Sequence, residues 1–131
     1  MRRIAQRSVA LATLALLASS AFAHHSSAMF DDKKSVTLTG TVKAFQFTNP
    51  HCWIQLLVDS AQGPVEWSVE MGSPSQLFKG GWKPGTLKTG EQIVVVVHPT
   101  RDGSSAGLYV SAATADGKPI GAAPQTAAAA P

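Results

Sequence analysis

A single cysteine, Cys52, stands in a chain of 131 residues. No disulfide can close within it, whatever compartment it occupies, and its stability has to come from packing. The chain also lacks the run of roughly 20 apolar residues needed to cross a bilayer; the longest, residues 9–18, is about half that. No nucleophile constellation is visible, because the serines have no neighbouring His and Asp arrangement that spacing could support. A phosphate-cradling loop is absent, and Gly80-Gly81 is helix punctuation. Glu66 and Glu70 alternate with Val65, Trp67 and Val69, which puts both carboxylates on a solvent-type strand face. No catalytic residue is assigned.

What is present begins with an export signal. Arg2, Arg3 and Arg7 precede the apolar run, which Ser19, Ser20 and the small-residue site Ala21-Phe22-Ala23 follow. That positive, apolar, A-x-A order is what signal peptidase reads, so residues 1–23 are expected to be removed and His24 to lead a periplasmic or secreted protein with no transmembrane segment. The formal charge of +3 then disappears with the three leading arginines. A formally neutral chain has no clustered excess of Lys and Arg for phosphates, and nucleic acid is not an expected partner.

The mature chain reads as all-β with a small α content. Residues 24–34 form an arm. From Ser35, Val36, Leu38 and Val42 alternate with Thr37, Thr39 and Thr41, and the apolar phase then moves to Phe45 and Phe47. Gly40 within this long strand suggests a bulge or sharp bend. Thr48-Asn49-Pro50 is a turn, and strands over 51–58 and 65–71 make a half-buried hairpin. Cys52 shares a face with Ile54, Leu56 and Val58, so a buried, inert thiol is expected. Ser73 can cap and Pro74 can start a short helix through Lys79. The run 93–97 is apolar on both faces, the turn Asp102-Gly103 follows, and a last strand covers 108–114. Residues 121–131 are Ala, Pro, Gln, Thr and Gly with nothing to bury, and read as a disordered tail. Three strands, a short helix and two strands, with the first strand bent, are the order of an OB-fold-like five-stranded barrel over 35–120 with its helix between strands 3 and 4. A sandwich of similar strands is the competing architecture.

Four histidines carry the candidate chemistry: His24, His25, His51 and His98. Imidazole suits copper and zinc. At a free terminus the α-amino group and ring of His24 can chelate one ion, and a third nitrogen from another histidine would complete a T-shaped copper brace. Alternatively His25, second in the mature chain, can bind Cu(II) through the terminal amine, its own backbone amide and its ring. The plain alternative is a frayed terminus that happens to begin with two histidines. His51 opens the second strand on the side of Trp53 and Gln55, where a lone histidine is more often a loop residue than a ligand. His98 ends the fourth strand, where a hydrogen-bonded role is the more usual one. Trp53, off the Cys52 face, is the aromatic best placed to offer a stacking surface, while Trp67 belongs with the core.

Taken in order, His24-His25-Ser26, Met29-Phe30-Asp31, Leu38-Thr39-Gly40-Thr41-Val42, Asn49-Pro50-His51, Glu66-Trp67-Ser68, Gly81-Trp82 and Arg101-Asp102-Gly103 resemble the bacterial exported proteins of the domain of unknown function 6152 family. The resemblance spans about residues 24–120 and brings no established activity. It implies His24, His25 and His51 as the shared histidines and asks for none at His98. The reading that follows is a non-enzymatic periplasmic copper-binding module, holding Cu(II) through His24, His25 and His51 and passing it from a donor or to an acceptor protein. Its rivals are a β-barrel that binds a saccharide, lipid or protein through Trp53 and the loops, and a copper oxygenase built on the same brace. Every copper argument requires His24 to be residue one. Intact-mass measurement of the exported protein should therefore give a chain starting at His24; a start at Ser26 or later removes the terminal chelate.

Overall fold

A computed structural model describes residues 28–121. The expected leader, His24 and His25, and residues 122–131 of the expected tail lie outside the described residues. The chain divides into two compact units, Met1–Phe30 and Asp31–Pro131, and the second contains the barrel.

Its elements are β1 (Val36–Gln46), β2 (Trp53–Val58), β3 (Val65–Glu70), α1 (Pro74–Lys79), β4 (Gln92–Pro99), β5 (Ala106–Thr114) and a two-residue β6 (Pro119–Ile120). The sheet runs β3-β2-β1-β4-β5-β6, and β3 also pairs with β5. That last pairing, parallel through Ser68↔Ala106, Val69↔Gly107 and Glu70↔Leu108, closes the five long strands into a barrel. The expected all-β barrel, with one short helix between strands 3 and 4, is the observed architecture. Among the described residues no helix is long and apolar enough to cross a membrane.

Alternation fills the interior. Ile54, Leu56, Val69, Ile93, Val95 and Val97 are all at most 1% exposed, and Cys52 joins them. Each fully buried aliphatic side chain contributes about 1.5–3 kcal/mol. Burial also pushes the Cys52 thiol up, as expected of an inert core residue. The helix is set by local sequence: the Ser73 hydroxyl accepts from the Gln76 amide, and the Gln76 side chain accepts from the Ser73 amide at 3.0 Å. Pro74 supplies a preset φ at the first helical position. One turn later the chain drops Trp82 into the barrel end, where its ring meets Phe45 at 5.7 Å and Tyr109 at 5.6 Å. Gly121, the first residue assigned to the tail, lies against the Trp82 indole.

The register refines the expected elements. β2 begins at Trp53, although Cys52 continues the ladder through its amide to Gly72 O and its carbonyl to the Met71 amide, both 2.9 Å. β5 starts two residues earlier than its alternation suggested, because Gly107 hides the periodicity. In the run 93–97 only Ile93, Val95 and Val97 enter the core; Val94 and Val96 are half-buried beside the short β6. The irregularity in β1 falls between Val42 and Ala44, so Lys43 is the extra residue and Gly40 is not the bulge. Gly40 serves instead as a point of close approach. A Cβ there would lie 2.9 Å from Leu56 Cγ and closer still to the Leu57 carbonyl oxygen. Gly40→Ala should therefore cost about 1–3 kcal/mol through forced separation of β1 from β2, read as a lower urea midpoint. An unchanged midpoint would show that the two strands part without strain.

Candidate functional site

On the outer face of β1, β2 and β3 the ladder sets side chains in rows. Gln46 pairs with Trp53, and Trp53 with Glu70; Ala44 pairs with Gln55, and Gln55 with Ser68. The barrel closure extends the first row, since Glu70 faces Leu108 on β5 and Leu108 faces His98 on β4. The 47–52 and 100–105 loops border this face. The first holds the cis Asn49-Pro50 peptide, and Thr48 Oγ1 donates to His51 O at 3.4 Å. The second is pinned by Thr100 Oγ1 donating to Ser104 O at 3.0 Å and by Ser68 N donating to Ser105 O at 3.1 Å.

Glu70 was expected on a solvent-type face, and there the structure differs. It lies on the outer face by parity, yet the residue is only 8% exposed. Its ladder neighbours Trp53 and Leu108 and the returning His51 ring stand around it. A carboxylate withdrawn from water needs a donor, and His51 Nδ1 hydrogen-bonds Glu70 Oε1. The two residues are diagonal neighbours, because the ladder past Trp53 sets His51 two places beyond the partner of Glu70. With a carboxylate on Nδ1, the ring is held with its proton on that nitrogen. The His51 side chain is 41% exposed. A carboxylate behind a histidine is the outer-shell arrangement that orients imidazole ligands on metals.

The remaining candidates are placed apart from this pair. His98 ends β4 as a hydrogen-bonded residue, its Nδ1 donating to Lys34 O at 2.7 Å beside the start of β1. Among the described residues no three His, Cys, Asp or Glu side chains gather as a metal-holding group. Among the described residues His98 therefore does not join His51 and Glu70 in one cluster, and His24 and His25 lie outside the described residues. Cys52 faces the core and donates weakly to Thr48 O. Glu66 is engaged by Lys43 at 2.6 Å; the bulge carries that lysine across β2. Among the tryptophans, Trp82 is in the core and Trp67 packs against it, whereas Trp53 does neither.

The functional residue that sequence reasoning missed is Glu70. Strand parity does signal it, because residues facing Trp53 and the side of His51 must include Glu70 once the hairpin register is known. The pair should be visible by NMR. Imidazole nitrogen shifts of His51 at neutral pH are expected to report the Nδ1–H tautomer, and Glu70→Leu should move the ring toward the Nε2–H form that free histidine prefers. An unchanged tautomer in that variant would show that Glu70 does not orient the ring.

Compared with known proteins, the chain matches the model of a family of unknown function (DUF6152) over residues 11–111. No curated protein and no solved structure matches it.

Proposed function

Since the chain belongs to the DUF6152 family, whose function is unknown, we propose a role from its own residues: a periplasmic or secreted copper-binding module that is not an enzyme. In this reading His51 is the ligand contributed by the barrel, and His24 and His25 are the ligands of the mature terminus. The supporting observation is the Glu70 carboxylate on His51 Nδ1, the carboxylate–histidine arrangement that orients imidazole ligands through the other ring nitrogen. Amine and ring of His24 are tethered to each other, so the second bond to the ion costs little further translational entropy. Three nitrogens in a T, or the amine, amide and ring set of His25, both match the tetragonal preference of Cu(II). Such a site sequesters the ion or hands it to a protein partner.

The test compares protein beginning at His24 with the same protein carrying one extra leading Gly. The expected result is one Cu(II) per chain and a fall in affinity of about tenfold to a hundredfold for the Gly-extended form, with a changed EPR spectrum. His51→Ala is expected to alter the spectrum again. Affinity should fall on acidification, because an α-amino group near pKa 8 and an imidazole near 6.5 must shed protons to bind. Equal affinity and identical spectra for the two termini would remove the terminus as a ligand and overturn the copper reading.

A further inference from the structure

Beside the His51–Glu70 pair lies a second arrangement that copper binding does not use. Three polar side chains from three adjacent strands are joined in one line across the outer face. Ser68 Oγ donates to Gln55 Oε1 at 2.7 Å, and Gln55 Nε2 donates to Gln46 Oε1 at 3.3 Å. The chain of bonds orients both amides and leaves valences open: two N–H groups on Gln46, the second N–H of Gln55, and acceptor lone pairs on Gln55, Gln46 and Ser68. Donors and acceptors thus alternate at the strand spacing of about 4.8 Å, comparable to the length of one pyranose unit.

The strip itself holds only uncharged side chains, and the Glu66 carboxylate beside it is engaged by Lys43. Trp53 borders the strip in the row Gln46–Trp53–Glu70. It is the tryptophan that neither enters nor packs on the core, and it is half-buried. An indole face next to a line of oriented amides offers what a sugar ring presents, an apolar face of C–H groups and an edge of hydroxyls that both donate and accept. A phosphate backbone or an acidic polymer finds no unpaired cation in this strip, which sets nucleic acid aside even though barrels of this topology bind it on the same strands.

We propose that the outer face of β1, β2 and β3 is a binding surface for a neutral oligosaccharide, with Trp53 stacking on a ring and Gln46, Gln55 and Ser68 hydrogen-bonding its hydroxyls. The surface is independent of the copper reading, since none of its four residues is a proposed ligand. It gives the barrel a means of holding to a glycan while the histidines act on an ion.

The experiment uses the metal-free mature chain, titrated with cellohexaose, maltohexaose and chitohexaose and followed by amide NMR at up to about 10 mM. At least one hexasaccharide is expected to shift Trp53, Gln55 and Ser68 in a saturable manner. Trp53→Ala should weaken it about tenfold or more, Trp53→Tyr should retain most of it, and Gln55→Ala should weaken it with the fold intact by far-UV circular dichroism. Lys118→Ala, outside the surface, should leave it unchanged. Failure of all three sugars to move those amides overturns the proposal. So does binding that survives both Trp53→Ala and Gln55→Ala, or binding confined to oligothymidylate. Copper affinity of the Gln55→Ala protein should equal that of the wild type, so loss of one property separates from loss of the other.

Discussion

The inner face of the sheet is buried by closure of the sheet on itself, and closure rests on three parallel pairs between β3 and β5. At the middle pair Gly107 faces inward, where a Cβ would lie 2.6 Å from Val97 Cγ2. A side chain there would push β5 away from the core and open the seam. The same three pairs set Leu108 beside Glu70 and so help withdraw that carboxylate from water. From this follows the need for a donor, and the His51 ring meets it. Closure of the barrel and creation of the polar pair are therefore one event.

Hydrophobic burial anchors the segment after β3: α1 stops at Gly80, and Leu77, Trp82 and Leu87 enter the core within a dozen residues. Trp82 is the largest of these, and its tilted contact with Phe45 and edge contact with Tyr109 tie β1 to β5. Withdrawal from water pushes the Tyr109 hydroxyl up to about 12. The 47–52 loop is held by backbone bonds from Cys52 to Gly72 and Met71, and these keep His51 in reach of Glu70.

Trp53 lies between two kinds of chemistry. Toward β5 it adjoins the Glu70–His51 pair, and toward Gln55 it adjoins the amide strip. The charged partners are not ladder opposites: Lys43 reaches Glu66 across β2, His51 reaches Glu70 diagonally, and the uncharged Gln46, Gln55 and Ser68 lie between them.

Periodicity and element order pointed to an all-β fold with one short helix, and the β3–β5 pairing decided for the barrel over the sandwich. Cys52, Ile54 and Leu56 on one parity and Trp53 and Gln55 on the other were legible because strand side chains alternate strictly. The Ser73 cap and the Pro74 helix start were legible because they are local, whereas the return bond from Gln76 came with the structure. Non-local facts were not. Whether Gly40 was a bulge or a close approach depended on Leu57 across the ladder, and Lys43 became the bulge only through its register with β2. Alternation also placed Glu70 in solvent, since a sequence shows which face a residue takes and not what covers it. Its burial comes from β5, which is brought alongside from 36 residues later by barrel closure, and its partner from the loop before β2. The histidine was visible in the chain; the carboxylate that directs its nitrogen was decided by tertiary structure, because only the closed sheet removes that group from water.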